Sequence, residues 1–405
     1  MNILEEIQNC PVEWKELGEV CELKNGYTPS KTNKEFWENG TIPWFRLEDI
    51  RKNGRVLSNS LQHVSRNAIK GGKVFTANSL IVSTTATIGE VALITVPFLC
   101  NQQITAVMIK QKYEKDLDIK FLFYYLQILS SDMKKGINEG SFPIVSLSKM
   151  RSFKIPIPPL KIQEKIVQIL DKFTEYVTEL TSELTSRKKQ YSFYRDKLLS
   201  FEDEVYQVEW KTLNECLKKG KGTKITASQM KLLHKEGAPI RIFAGGKTYA
   251  DVNYGDIPDK DIHTEEAIVV KSRGIIDFEY CTEPFSFKNE FWSYSSDNEN
   301  INLRYIYHYL VHNKEYFQNI ANNMQMPQIS SNDTEKFKIP VPSLEIQSRI
   351  VQVLDNFDMV CNDLNIGLPK EIELRQKQYE YFREKLLTFV AEGEYTDSTV
   401  QTRHH

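Results

Sequence analysis

The chain has 405 residues, 40% hydrophobic and 26% charged, with 52 Lys and Arg against 54 Asp and Glu for a net charge of −2. That length predicts two or more domains with sizeable cores, and the balanced charge excludes a chain that is basic or acidic throughout. Six scattered cysteines (Cys10, Cys21, Cys100, Cys216, Cys281, Cys361) with no CxxC pair argue against a zinc site or a disulfide framework and fit a reducing cytoplasm.

Residues 1 to 11 read as a short arm without signal-peptide character, and no apolar run reaches transmembrane length, so the expected location is the cytoplasm. Val12-Glu13-Trp14-Lys15-Glu16-Leu17 comes next, and it returns as Val208-Glu209-Trp210-Lys211-Thr212-Leu213. The stretches Ile42-Pro43-Trp44-Phe45, Leu80-Ile81-Val82-Ser83, Val91–Ile94 and Ile104–Ile109 read as short buried strands between Gly- and Asn/Ser-rich turns. A helix is expected over Lys120–Leu126, and Arg304–Leu310 has the same character. Leu80–Ala86 is likewise echoed by Ile268–Gly274. The loops Asn25–Lys31 and Lys218–Lys224 show no such twin, so the expectation is a shared scaffold with unlike loops.

The segment FKIPIPPLKIQEKIVQILDKF (Phe153–Phe173) is the most informative in the chain. It returns as FKIPVPSLEIQSRIVQVLDNF (Phe337–Phe357), with about 14 of the 21 positions identical, so the chain is an internal repeat. Pro156, Pro158 and Pro159 exclude a helix before Leu160. After it, Ile162, Ile166, Ile169, Phe173, Val177, Leu180 and Leu184 step by threes and fours, as do Ile346, Ile350, Val353, Phe357, Val360 and Leu364. A helix from 160 to 199 would run roughly 60 Å and would need a partner along its stripe, for which the other copy is the candidate. Each copy closes on a basic aromatic run, Arg187–Phe201 and Arg375–Phe389. The second copy carries about four extra residues around Gly367, Leu368 and Pro369, the size of a stutter, so a break is expected there. The terminal Arg403-His404-His405 reads as a tag remnant and is set aside.

The fold expected is α+β: two mixed, twisted, mostly antiparallel sheets with helices, joined by two long antiparallel coiled-coil helices with a pseudo-twofold repeat. The expected boundaries are 12–154, 155–201, 208–338 and 339–389, the last block broken near 367–369.

Motifs for catalysis fail on spacing. Gly245-Gly246-Lys247-Thr248 has the end of a phosphate-binding loop, but Arg241 stands where its first Gly is needed. The seven His lack metal-ligand spacing, and no metal site is expected. Asp259, Glu266 and Lys271 are too poorly spaced for a nuclease cluster and read as a solvated face. Side chains suited to nucleic acid are more plentiful. The first globular part has a mild positive balance, and Lys218, Lys219, Lys221, Thr223 and Lys224 form a Lys/Gly run suited to phosphate contact. Asn101, Gln102, Gln103, Asn323, Gln325 and Gln328 carry amides of the kind that pair with adenine, and Arg46 and Arg273 carry the guanine-reading group. Lys24, Asn25, Tyr27, Thr28, Ser30, Lys31, Ser83, Thr84, Thr85, Ser141, Gly245, Gly246, Lys247 and Lys271 complete the candidates for DNA contact. The plainer reading, that such residues solvate loops, stays open for each taken singly.

Taken together, Ile155-Pro156-Ile157-Pro158-Pro159-Leu160 with Gln163, Ile339-Pro340-Val341-Pro342-Ser343-Leu344 with Gln347, and Gly367–Leu387 resemble the specificity subunit of type I restriction-modification enzymes over almost the whole chain. Gly26–Ser30, Ile42–Arg46 and Asn101-Gln102 also resemble positions of that family, and Ser343 departs from it by replacing the second Pro. The resemblance implies two target-recognition domains, each reading half of a bipartite asymmetric DNA site, with the helices fixing the unread gap. It implies two modification (methyltransferase) subunits as partners, which methylate adenine N6, together with restriction (translocase/nuclease) subunits. S-adenosylmethionine, ATP and Mg are then expected on those partners and no cofactor on this chain, itself non-catalytic. A stand-alone DNA-binding regulator and a coiled-coil scaffold are the alternatives.

Overall fold

The structure, a computed structural model, describes residues 3–72, 74–85, 87–135, 144–201, 208–322 and 327–389. The chain divides into two compact units, Met1–Glu179 with Glu373–His405, and Leu180–Ile372.

In the first unit the chain runs α1 (Ile3–Gln8), β1 (Glu13–Glu16), α2 (Leu17–Val20), β2 (Cys21–Asn25), β3 (Ile42–Phe45) and α3 (Leu47–Asn53). Then come β4 (Val56–Leu57), β5 (His63–Val64), β6 (Ser79–Ser83), β7 (Val91–Ile94), β8 (Leu99–Cys100) and β9 (Ile104–Ile109). The helices α4 (Ile119–Lys135) and α5 (Leu147–Arg151) precede β10 (Lys154–Ile157) and α6 (Leu160–Ser200). A five-stranded sheet has the order β2-β9-β6-β7-β4, and a three-stranded sheet the order β5-β3-β8. Pairing is antiparallel except for β4–β7 and β3–β8. The strands β6, β7 and β9 are buried on both faces, which explains their unbroken apolar runs.

The second unit repeats the plan with β11 (Glu209–Thr212), α7 (Leu213–Cys216), β12 (Lys218–Lys221), α8 (Ala227–Leu233), β13 (Ile240–Phe243) and β14 (Tyr249–Val252). Next are β15 (Ala267–Lys271), β16 (Asp277–Cys281), β17 (Phe285–Phe287) and β18 (Trp292–Ser295). It closes through α9 (Leu303–His312), α10 (Lys314–Ala321), α11 (Ser331–Glu335), β19 (Lys338–Val341), α12 (Leu344–Asn362) and the start of α13 (Leu368–Leu386). Its sheets are β12-β18-β15-β16 and β14-β13-β17. The Lys218–Lys224 segment is therefore not a free loop. Its first four residues are a strand, paired antiparallel from Lys218 opposite Ser295 to Lys221 opposite Trp292.

The two openings and the two Pro-rich entries meet as matching ribbons. β1 pairs with β10, placing Trp14 opposite Pro156, and β11 pairs with β19, placing Trp210 opposite Pro340. A proline in a two-stranded ribbon can turn its donor-less side outward, which is why these prolines are tolerated. Beyond each ribbon a buried glutamine ties the helix entry to the globular part. Gln163 accepts from the Asp118 N–H (2.8 Å) and donates to the carbonyls of Asp116 (2.8 Å) and Pro158 (2.7 Å). Gln347 repeats this with Asn302 N–H (2.9 Å) and the carbonyls of Asn300 (3.0 Å) and Pro342 (2.8 Å).

Each unit holds parts of both long helices. In the first, Ile162, Ile166 and Leu170 of α6 share a core with Leu386 and Leu387, with Ile169 against it, and Phe173 stacks on Phe382 at 5.4 Å. Val177 is half-buried. In the second, Tyr191 and Tyr194 stack on Phe357 at 5.9 and 5.7 Å, and Leu199 joins Ile350 and Leu354, with Ile346 packed against them. Leu180 and Leu184 are half-buried. The start of one helix thus lies against the end of the other, the antiparallel arrangement. On α12 and the turn after it the seam departs from the stripe expected: Val353, Val360 and Leu364 are 38%, 39% and 71% exposed, whereas Leu354 and Cys361 are fully buried. Both sets satisfy three-and-four spacing from Ile350, and the helix has turned the neighbouring one inward. α12 stops at Asn362 and α13 starts at Leu368, with Pro369 in its first turn, where a missing donor costs nothing.

The repeat extends to ion pairs, with one telling difference. Asp171 accepts from Lys120 (2.6 Å) and the Tyr124 hydroxyl (2.7 Å); Asp355 bonds Arg304 (2.9 Å) and His308 (2.7 Å). His308 is buried, and burial lowers its pKa more than the Asp355 contact raises it, with Arg304 lowering it further and Asp358 raising it. Burial likewise lowers that of His312, which faces Arg195 and Asp196. Histidines held neutral in the fold contribute stability that is present above the unfolded value of 6.5 and is lost as pH falls below it. The expected slope is up to about 1.4 kcal/mol per pH unit for each group. Calorimetry of the protein between about pH 7.5 and pH 5.5 should show a falling transition that His308→Gln flattens. An unchanged slope in that variant would rule out His308 as the source.

Candidate functional site

In the first unit the candidate residues gather where β2, β3, β6 and β8 end. The turn begins at Gly26, where a Cβ would lie 2.2 Å from the Cys100 carbonyl oxygen, so only glycine fits. That approach lets the Tyr27 N–H donate to Cys100 O at 2.8 Å. From there a chain of backbone bonds crosses the unit's edge: Asn101 N–H to Phe45 O (3.1 Å), Thr84 N–H to Gln103 O (3.0 Å) and Val145 N–H to Thr84 O (3.0 Å). Thr85 bridges Ile144 beyond it. The outcome is one ridge that carries Thr28, Arg46, Thr85, Gln102 and Gln103. The Thr28 hydroxyl donates to the Gln102 amide oxygen. The Arg46 guanidinium lies over the Trp44 ring at 5.5 Å and pairs with Glu48 at 3.2 Å.

Several other candidates are occupied by the fold. Ser83, Thr84 and Asn101 are buried. Ser83 donates to Thr87 O, and Asn101 accepts from the Gln103 N–H at 3.2 Å. They are strand-end polar groups satisfying the turn rather than base-reading side chains. The Tyr27 hydroxyl donates to Ala68 O and accepts from Lys70 N–H, so it anchors the 66–70 segment. Asn25 accepts from Thr105 (2.7 Å), and Lys24 pairs with Glu22 (2.6 Å). Ser30 and Lys31 are exposed on the adjoining loop, Ser30 bonded to Thr32. Ser141 lies outside the described residues.

The second unit builds the same ridge, which corrects the expectation that the loops have no twins. Gly222 takes the place of Gly26: its Cβ would lie 2.2 Å from Phe287 O, and the Thr223 N–H donates to that oxygen at 2.8 Å. Lys288 N–H donates to Phe243 O at 3.1 Å, as Asn101 does to Phe45. Arg273 bridges Gln328, as Thr85 does Ile144. Lys288, Asn289 and Glu290 therefore stand where the first unit has Asn101, Gln102 and Gln103. Sequence reasoning missed them because the backbone position repeats while the residue types do not.

Around this second ridge Lys221, Lys224, Lys247 and Arg273 are exposed. Lys247 sits in the Gly245–Thr248 turn that joins β13 to β14, where Gly246 takes a φ of 62°. Lys271 is not among the solvent-facing cations. It is 3% exposed, and its Nζ bonds the Gly246 carbonyl (2.9 Å) and Glu279 (2.5 Å), so it pins that turn from below. Thr223 is buried. Lys218 pairs with Asp297 and Lys219 with Glu335, and the latter bond holds the Glu335 carboxyl below its usual range. These strand lysines are already neutralised. Asn323 and Gln325 lie outside the described residues.

Among the described residues no group of three or more His, Cys, Asp or Glu could hold a metal ion, and no helix is long and apolar enough to cross a membrane. Burial pushes the Cys21 and Cys281 thiols up to about 12, which makes them poor nucleophiles. What the two ridges offer is hydrogen bonding and positive charge on a rigid edge, built twice with different side chains.

A family described as the type I restriction modification DNA specificity domain matches residues 11–187 and 207–374. The type I restriction enzyme EcoprrI specificity subunit of Escherichia coli is 39% identical over 369 residues, covering 87% of this chain and 89% of that one. A second E. coli type I restriction enzyme specificity subunit is 37% identical over 295 residues, or 67% and 71% of the two chains. The crystal structure of a type I restriction-modification S subunit from M. genitalium superposes with a TM-score of 0.63 at 17% identity, covering 95% of this chain and 98% of that one, a likeness of fold.

Proposed function

Because the chain belongs to the type I restriction-modification DNA specificity family, we propose that each of its two units reads one half of a split, asymmetric DNA sequence. One observation carries the reading. The same backbone ridge, fixed by Gly26 in one unit and Gly222 in the other, presents Thr28, Gln102 and Gln103 in the first and Lys224, Arg273 and Asn289 in the second, where Lys288 and Glu290 pair with each other at 2.5 Å. Equal frames with unequal side chains suit two unequal targets. Amides and hydroxyls match base edges, and the exposed lysines match phosphates.

The chain acts as the specificity subunit and leaves chemistry to its partners. Two modification subunits bind S-adenosylmethionine and methylate adenine N6, and restriction subunits use ATP and Mg²⁺ for translocation and cleavage. The long helices fix the unread gap and offer the docking surface. In support, Val353, Met359, Val360, Leu364 and Ile366 leave apolar side chains exposed on α12 and the turn after it, where a partner would cover them.

The test is to sequence methylated adenines in a methylation-free host that expresses the modification subunit with and without this chain. The expected result is N6-methyladenine only with the chain, in a two-part motif with a fixed gap. An assembled complex that methylates nothing would favour a scaffold.

A further inference from the structure

The turn between β15 and β16 is held more firmly than a hairpin tip requires. Gly274 takes a φ of 73°, a left-handed conformation that suits glycine. Its N–H donates to Pro327 O at 2.8 Å, and its carbonyl accepts from the Gln318 amide at 3.3 Å. The same amide's oxygen accepts from Ile276 N–H at 2.8 Å. On the other side Ile329 N–H donates to Ser272 O at 3.0 Å, and the Ser272 hydroxyl donates to Glu290 O at 2.8 Å. Ile276 is fully buried in the core beneath. Two side chains are left to project, Arg273 and Ile275. Arg273 is exposed and makes no side-chain hydrogen bond or ion pair among the described residues, and Ile275 is 66% exposed.

A single exposed isoleucine is ordinary on a protein surface. This one is set apart by its setting: a pinned backbone, a guanidinium two residues away without a hydrogen bond or ion pair among the described residues, and the Lys288–Glu290 ion pair (2.5 Å) on the adjoining strand end, whose carboxylate feels the Arg273 charge. The first unit makes the contrast. Two residues beyond Thr85, which bridges Ile144 as Arg273 bridges Gln328, its one-residue-longer turn carries Thr87, whose hydroxyl accepts from Arg51 at 2.7 Å. The fold thus takes a polar, bonded side chain at this tip in one unit and an apolar, free one in the other. A rigid apolar group held beside a guanidinium has a natural complement in the major groove. Thymine alone presents a methyl group there, and guanine presents the O6/N7 pair that a guanidinium binds with two hydrogen bonds. Because the turn is already ordered, contact costs little further entropy.

We propose that Ile275 packs on the C5-methyl of a thymine next to a guanine read by Arg273, and that this pair of contacts sets part of the second half-site. The proposal rests on the reading of this unit as a DNA-recognition domain.

The experiment uses the assembled complex of this chain with its modification subunits and duplexes that carry the methylated motif. Each thymine of each half-site is replaced in turn by uracil, which removes only the methyl. For the native complex one replacement in the second half-site should weaken binding about fourfold. The Ile275→Ala complex should bind the thymine and uracil duplexes equally. Replacing the neighbouring guanine with 7-deazaguanine should cost the native complex about tenfold and Arg273→Met almost nothing. A second half-site without an A·T pair, indifference to uracil throughout it, or an Ile275→Ala complex that keeps the native sensitivity would overturn the proposal while leaving the wider reading intact. A native complex that binds its motif no better than a scrambled duplex would overturn both.

Discussion

Inserting four residues into α6 between Glu179 and Leu180 lengthens the unread gap of the DNA site by about one to two base pairs and leaves both half-sites unchanged. The helix is continuous from Leu160 to Ser200, and its first part packs within one unit and its second within the other. Four residues add about 6 Å of helix, against 3.4 Å per base step along a strand, and turn it by only about 40° beyond a full revolution. Every apolar residue on either side of the insertion keeps its own packing, because Phe173 still meets Phe382 and Tyr191 still meets Phe357. The return path has a place to yield, the non-helical stretch between Asn362 and Leu368. Methylated-adenine sequencing reads the gap directly. A variant that methylates the original motif with the original gap would show that the helix does not measure it.

Replacing Gln163 or Gln347 with leucine costs about 3–5 kcal/mol, far more than a substitution of similar volume suggests. Both side chains are fully buried. Each satisfies one part-buried N–H, one part-buried carbonyl and one buried proline carbonyl, at the joint between the Pro-rich ribbon and the start of a long helix. Leucine fills the space and leaves all three backbone groups without partners. The effects should also be local. Gln163→Leu should loosen the unit that holds Ile162 and Leu386, and Gln347→Leu the one that holds Ile350 and Leu199. Chemical denaturation of the two variants would measure the loss, and a cost under about 1 kcal/mol would mean that water replaces the amide.

The parts of this fold written in periodicity were legible from the residues alone. Prolines at 156, 158 and 159 start α6 at Leu160, and the apolar stripe carries it on. What periodicity left ambiguous was the rotation of α12, since Ile350-Val353 and Ile350-Leu354 are equally good helical steps. The cores of Phe357 and Tyr191 decide it, and they belong to segments far apart in sequence. The site was harder. Lysines at 218, 219 and 221 carry no apolar alternation, so nothing local marks a strand, and β12 exists through its pairing with β18. Lys271 reads as a surface cation until Glu279 and the Gly246 carbonyl are seen around it. The equivalence of Lys288 with Asn101 lies in a backbone hydrogen bond, which leaves no trace in residue identity.

The division of the chain has a consequence for its birth on the ribosome. The second unit spans Leu180–Ile372 without interruption and can close once that stretch has emerged. The first unit cannot. Its core includes Leu386 and Leu387, and Phe389 packs against Phe121 at 6.1 Å, so this unit waits until residues 386–389 have been translated. The usual order, in which the N-terminal domain folds first, is reversed here. A premature stop after Ile372 would then spare the unit made second and cripple the one made first.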